Sequence, residues 1–304
     1  MIKKIFSYIK KTIHDPTFPI KILASKGFFN KLSDEKYLKL MYYIYMHKKL
    51  DLKTPKTFSE KLQWLKLHNR NPEYTLMVDK YKVRSYIEKE IGKEYLVPLI
   101  GVWERPEDID FDALPDKFVL KCNHNSGLGM CICTDKQNLD LNNVRKNLAR
   151  GLRQNYYYSG REWPYKDVPP RIIAEKYLEG ETGHVPTDYK VLCFHGEPKL
   201  IQVNRSRFSK NYTVDFYDNN WNISYIKLSA YPQSNITINK PIFSDEMLSL
   251  SRKLAQKIPH IRVDWYYTDN RLYFGELTFF SWSGFYKYED DQDSLLGSWL
   301  KLPR

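Results

Sequence analysis

The sequence predicts an α+β protein, built as packed lobes behind an N-terminal helical region. Three observations predict it. Apolar residues recur at helical spacing up to about residue 70; from about residue 96 short runs rich in β-branched and aromatic residues alternate with turns and a few helices; and neither an internal repeat nor a low-complexity linker divides the chain. With 304 residues, 42% hydrophobic and 15% aromatic, the chain has enough apolar surface for one large core or two to three smaller ones, which excludes a disordered tail.

The elements follow in order. "SDEKYLKLMYYIYMHKKL" is a helix capped by Ser33, and "TFSEKLQWLKLHN" a helix capped by Ser59 or Thr57. "DKYKVRSYIEKEIG" opens a helix on Asp79 and closes it at Gly92, and "YLVPLIGVW" is too short and too β-branched for anything but a strand. "KFVLKCN" and "MCICTD" are strands around the turn "HNSGLG"; "NNVRKNLARGLRQNYYY" is a helix and "RIIAEKYLE" a strand. After a break at "GETGHVPT", "DYKVLCFHGEPKLIQVNR" gives two strands about "HGEP", and "VDFYDNNWN" another. "SDEMLSLSRKLAQKI" is a helix with Ser244 as its capping residue, and "IRVDWYYTDNRLYFGELT" closes the series as a strand pair.

Lys and Arg number 48 against 36 Asp and Glu, a formal charge of +12, which favours an anionic partner. The basic residues are spread along the chain and match no nucleic-acid motif, so no nucleic-acid partner is expected. Cys122, Cys131, Cys133 and Cys193 lack CxxC spacing and read as reduced thiols of a cytoplasmic protein. No stretch has the roughly 18 apolar residues of a membrane span. The first 12 residues alternate Ile2, Ile5, Phe6 and Ile9 with lysines, a pattern for packing on the main body or for peripheral contact with an anionic membrane at its inner face.

Three constellations carry chemistry. Lys121 ends the strand "FVLK" and is followed by Ser126, Gly127 and Gly129, a turn whose amides suit an anion such as a polyphosphate; a plain hairpin turn is the alternative, since no P-loop is present. In "IIAEKYLEGE" an apolar strand leaves its sheet at Glu175, Lys176, Tyr177 and Leu178, where backbone groups suit a purine, with Glu179 or Glu181 within reach of ribose hydroxyls; a solvated edge strand is the alternative. Asp264 and Glu276 face each other across a hairpin. Like charges so placed destabilise a sheet unless a cation separates them, and oxygen-only donors suit Mg²⁺, with Mn²⁺ as the substitute. A glycosidase-like acid and base pair also fits two such carboxylates.

Together these motifs resemble the ATP-grasp superfamily and its TupA-like branch of teichuronopeptide and capsular polysaccharide genes. By comparison with the D-alanyl-D-alanine ligases of that superfamily, Asp79-Lys80 resembles their "DK", Lys121 their nucleotide lysine and Glu175 to Leu178 their adenine hinge; Arg262-Val263-Asp264 is similar to "RID" and Glu276-Leu277-Thr278 to "EAN". Thr278 stands where those ligases have a metal-binding Asn. The resemblance implies two α+β lobes clasping ATP, with residues 1–72 as a helical extension, 73–115 as a pre-grasp segment, 116–180 as the nucleotide-binding subdomain and 181–304 as the catalytic subdomain.

It also implies ATP-dependent joining of a carboxylate to an amine through an acyl phosphate. Asp264, Glu276 and Thr278 are then the metal set, and Lys80 and Lys121 phosphate ligands. Arg262 stabilises the reacting carbonyl, and Lys190 and Arg207 meet phosphate or substrate carboxylate or else are ordinary solvated bases. The implied partners are a nucleotide, an amino acid or small amine, and a carbohydrate or glycan acceptor, lipid-linked or nascent, containing a uronic acid. The aromatic residues Tyr156, Tyr157, Tyr158, Trp163, Tyr217 and Trp221 suit a sugar groove or core packing. The competing reading is a glycosyltransferase using "EDDQD" at 289–293 for a metal-nucleotide-sugar, or an ATP-dependent sugar kinase.

Overall fold

The computed structural model describes residues 12, 15–180, 185–207 and 209–303. Nine helices are named here in chain order: α1 Phe18–Ser25, α2 Asp34–Met46, α3 Phe58–His68, α4 Glu73–Val78, α5 Val83–Glu90, α6 Leu141–Leu152, the single turn α7 Tyr157–Gly160, α8 Ser244–Leu254 and α9 Asp290–Trp299. The basic N-terminal pattern and Glu181 lie outside the described residues, save for position 12.

Two antiparallel sheets carry the fold. Strands β1 Leu99–Trp103, β2 Phe118–Cys122, β3 Met130–Cys133 and β4 Ile172–Lys176 form one, in the order β1-β4-β2-β3. Strands β5 Asp188–Phe194, β6 Glu197–Arg205, β7 Thr213–Tyr217, β8 His260–Thr268 and β9 Arg271–Thr278 form the other, in the order β7-β6-β5-β8-β9. In β2, Phe118 and Leu120 join a small core with Ile172, Ala174 and, from α6, Val144 and Leu148. The two-residue period then turns Lys121 to the opposite face, away from α6. The same alternation divides β8. Ile261, Val263 and Trp265 enter the main core under α8, where Trp265 Nε1 donates to Ser251 Oγ at 2.9 Å, while Arg262 and Asp264 face the other way.

The N-terminal helices add a third core around Tyr37, Leu38 and Met41. One link to the body is Arg161, 1% exposed, whose Nη2 donates to the carbonyls of Phe29, Asn30 and Leu32 at 3.1, 3.0 and 3.2 Å beneath the Tyr37 ring. Helix α9 crosses α3 at Gly297, where a Cβ would stand 2.3 Å from Lys56 O and 2.8 Å from Phe58 N.

Several boundaries differ from expectation. Thr57, not Ser59, caps α3, in a reciprocal box with Glu60. Asp79 does not begin a helix: it closes α4 and accepts from the Tyr81 and Lys82 amides at 2.9 and 3.2 Å before α5 starts at Val83. Ser244 is the first residue of α8, with Phe243 in the cap position. The helix at 142–158 stops at Leu152, and β7 stops at Tyr217 because Asp218 Oδ1 captures the amides of Asn220 and Asn222. Helix α9 was not anticipated; "EDDQD" is its first turn.

Candidate active site

The hairpin β8–β9 holds the centre. A register shift falls between Val263 and Trp265, at Asp264, and Gly275 lies against it: a Cβ at Gly275 would approach Asp264 O to 3.1 Å, so glycine lets the strands close there. Asp264 Oδ1 accepts from Arg262 Nε at 2.6 Å, and its Oδ2 from Arg262 Nη2 at 2.7 Å and from Lys190 Nζ. The same Nη2 reaches Glu276 Oε1 at 3.0 Å and Thr278 Oγ1 at 3.1 Å.

The cation that separates the two acids in this structure is therefore the Arg262 guanidinium. The two expected metal ligands and Arg262 together form an Asp-Arg-Glu cluster. Arg262 and Asp264, two apart on one strand, necessarily share a face, and the guanidinium fork fits a carboxylate bidentately. Thr278 donates to Glu276 Oε1 at 3.2 Å, so it orients that carboxylate.

Strand β5 adds a second layer. Asp188, 1% exposed, lies 2.7 Å from Lys190 Nζ and 3.3 Å from Arg207 Nη1, and Asn204 Nδ2 approaches it at 3.4 Å. Lys190 sits between two buried acids; it is not an ordinary solvated base. Arg207 keeps 43% of its side chain open.

From the four-stranded sheet, Lys121 pairs with Glu175 at 2.6 Å, and Arg84 approaches the same carboxylate at 3.5 Å. Lys80 Nζ donates to Asn125 O at 2.7 Å and stands 3.9 Å from Glu276 Oε2, joining the two sheets across the cleft. Asn123 fixes this corner, donating to Asp79 Oδ1 at 2.8 Å and accepting from the Arg171 amide at 2.6 Å. In the glycine turn, Ser126 and Gly127 are exposed. Gly129 is buried at φ +74, where a Cβ would stand 3.0 Å from Gly151 Cα, so it packs the turn against α6 and is not part of an open cradle. The Lys176 amide donates to Pro98 O at 2.9 Å and Glu175 still pairs with Val119, so only Tyr177 and Leu178 have left the sheet. Leu178 packs on Val97 and Tyr273.

Exposure sorts the acids. Asp188 and Asp264 are 1% and 2% exposed, but 36% of the Glu276 side chain opens to the cleft. Burial alone would raise the Glu276 carboxyl; Lys80, Arg262, Lys190 and Lys121 outweigh it and hold it near 2. Burial depresses Lys80 while Glu276 opposes that, and burial pushes Asp264 up against the pull of Arg262 and Lys190. A carboxylate fixed in its charged form and reachable from solvent suits a hard cation shared with phosphate oxygens. Among the described residues no group of three or more His, Cys, Asp or Glu side chains is placed to hold a metal ion.

A family model for TupA-like ATP-grasp proteins matches residues 60–301. The chain belongs to this family. The two-sheet α+β architecture is that of an ATP-grasp protein, as expected from the sequence. Among solved structures, this ATP-grasp protein is similar to D-alanine–D-alanine ligase from Bacillus anthracis complexed with ATP, at 18% identity over 67% of this chain and 53% of that one with TM-score 0.40. It is also similar to D-alanine–D-alanine ligase from Helicobacter pylori (14% identity, 80% and 69% covered, TM-score 0.43) and to D-cycloserine synthetase DcsG (11%, 75% and 70%, 0.42). The chain spans about half the length of the Bacillus anthracis ligase. No curated protein matches it.

Sequence reasoning missed Asp188, Asn204, Asn123 and Glu162. Asp188 had a signal, standing two residues before Lys190 on one strand face. The aromatic groups at 156–163 and 217–221 are mostly packing: Tyr157, Trp163, Tyr217 and Trp221 are buried, and the Tyr217 and Trp221 rings stack at 4.7 Å. In the TupA-like chain "EDDQD" is structural. Asp293 accepts from the Ser59 amide at 2.9 Å and is buried, and Asp290 pairs with Lys48 on the surface at 2.5 Å.

Proposed function

We propose that the protein is an ATP-dependent ligase that joins a carboxylate to an amine. A carboxylate oxygen of the acceptor attacks the γ-phosphorus of ATP, the bond to the β–γ bridging oxygen breaks, and ADP leaves. The amine then attacks the acyl carbon, phosphate departs, and the amine gives up a proton. The observation that carries the reading is Glu276, an ionised, cleft-facing carboxylate within a ring of Lys80, Lys121, Lys190 and Arg262.

Each residue has a role under this reading. Lys80 and Lys121, both on the four-stranded-sheet side, neutralise phosphate oxygens; each must exchange its present partner, Asn125 O or Glu175, to do so. Glu276 and Asp264 would hold Mg²⁺, or Mn²⁺ in its place, and Thr278 keeps Glu276 aligned. The bound ion supplies charge neutralisation between phosphate oxygens. Arg262, held by Asp264, would stabilise the acyl oxygen, and Arg207 would meet the acceptor carboxylate. Ser126 and Gly127 form the exposed turn beside the phosphates, with Gly129 packing its base, and Glu175, Lys176, Tyr177, Leu178 and Glu181 form the purine and ribose side.

The finer reading is that the acceptor is a uronic acid of a cell-surface glycan or its lipid-linked precursor, and the nucleophile an amino acid or small amine. The net charge of +12 supports an anionic acceptor. Among the described residues no helix is long and apolar enough to cross a membrane, and the reading places the protein in the cytoplasm, at the inner membrane face where such precursors are held. Isothermal titration with ATP·Mg against a panel of UDP-sugars tests the core of the proposal, together with Mg²⁺-dependent ADP release. Binding of ATP·Mg and release stimulated by carboxylates are expected. Binding to UDP-sugars alone would overturn it.

A further inference from the structure

Directly after β9 the chain makes an unusual turn. Trp282 (φ 53°, ψ 27°) and Ser283 (φ 54°, ψ 24°) both occupy the left-handed region. Bulky non-glycine residues are rare there, and such backbone costs on the order of 1–3 kcal/mol per residue, persisting where the surroundings over-determine it. Here they do. Ser283 Oγ donates to the Glu162 carboxylate; Ser283 O accepts from Lys66 Nζ at 2.7 Å and from Gln63 Nε2 at 3.1 Å; Gly284 O accepts from Gln63 Nε2 at 2.8 Å. Gln63 and Lys66, both from α3, are fully buried, and Glu162 is 3% exposed.

The outcome of this clamp is an indole held outward. Trp282 is 47% exposed, whereas Trp163, Trp221 and Trp265 are buried. Its ring lies 5.6 Å from that of Tyr286 and 6.1 Å from that of Tyr231, which in turn lies 5.2 Å from Tyr212. Ser281, the residue before Trp282 in the chain, accepts from Arg262 Nη1 at 3.5 Å. At the far end of the wall Tyr212 donates to Asn204 at 3.3 Å, beside the Asp188 that holds Arg207. The turn that carries the indole thus begins at the candidate active site.

We propose that Trp282, flanked by Tyr231 and Tyr286, is the platform on which a pyranose ring of the acceptor stacks. The inference rests on the ligase reading and specifies the acceptor site within it. A pyranose has an apolar C–H face and a polar hydroxyl rim. One open indole beside half-buried tyrosine rings matches that face. The open aromatic area is that of a single ring, far below a protein interface.

The test uses the full chain saturated with ATP·Mg and three probes: methyl β-D-glucuronoside, methyl β-D-glucoside and propionate. Affinities come from calorimetry, and ring contacts from saturation-transfer NMR. The wild type should prefer the glucuronoside to both others. Trp282→Ala should weaken glucuronoside binding about tenfold, the equivalent of one good aromatic contact. Propionate binding should hardly change, and Trp282→Phe should recover most of the loss. Equal glucuronoside affinity in wild type and Trp282→Ala would overturn the inference, as would a wild type that binds the glucuronoside no better than propionate; in both cases intact ATP·Mg binding leaves the ligase reading standing. A wild type that fails to bind ATP·Mg overturns both.

Discussion

Lys66 is fully buried, and burial presses its ammonium from 10.5 down to about 7, with Glu162 and then Asp34 pulling the other way. In an unfolded chain the same group keeps its ordinary value. Between pH 7 and 10.5 the unfolded state therefore binds more protons than the folded one, and stability rises with pH across that window. Taking 1.36 kcal/mol per pH unit where the two states differ by a full proton, the gain between pH 7.5 and 9.5 is roughly 2–3 kcal/mol. Lys66→Met removes this slope and also the charge that holds the Glu162 carboxyl down, which pushes that carboxyl further up. Urea unfolding of both proteins at pH 7.5, 8.5 and 9.5 should give free energies that diverge by roughly 2–3 kcal/mol. At the upper end the variant should be the less stable, because Gly160 O, which accepts from Lys66 at 2.7 Å, loses its donor at a cost of about 1–3 kcal/mol. Parallel pH profiles would refute the reasoning, since they would mean that the folded protein holds this ammonium charged as readily as water does.

Other outcomes follow from the same geometry. Glu276→Gln should lower Mg²⁺-dependent ADP release by about a hundredfold or more while the protein still melts cooperatively; near-normal release would remove Glu276 from the chemistry. Lys190→Met takes one cationic partner from each of the buried carboxylates Asp188 and Asp264, leaving Arg207 and Arg262, and should cost about 1–3 kcal/mol in urea titration, part of which Asp188→Asn in the same chain restores. Gly297→Ala drives a methyl into the backbone of residues 56–58 and should destabilise by about 1–3 kcal/mol, read as a lowered thermal midpoint.

The parts of the site that were legible in the sequence are those set by neighbours along one strand or across one turn. The hairpin from Asp264 to Glu276 is such a case, because a short turn fixes which residues meet; so is the lysine strand ending at Lys121. The Arg262 contact to Asp264 was within reach too, since the strand period puts both on one face. The partnership of Lys121 with Glu175 needed the strand order β4-β2, which sequence does not state. Lys66 with Ser283 needed a crossing of α3 over a turn more than 200 residues later, and nothing in the local composition signals it. Where long-range packing overrides local preference, as at Trp282, the sequence predicts ordinary backbone and the structure has a strained turn.

The anchor made by Arg161 has a practical consequence for dissecting the molecule. The family match begins at residue 60, an inviting point at which to trim the gene. A protein starting there would lack Phe29, Asn30, Leu32 and the Tyr37 ring, leaving a guanidinium that is now 1% exposed with none of those acceptors. Arg161 is the residue next to Glu162, which steadies the Trp282 turn. The recognisable homology unit and the smallest piece able to fold and work are different objects here, and a truncation series across residues 1–60 would lose activity well before it reaches the homologous region.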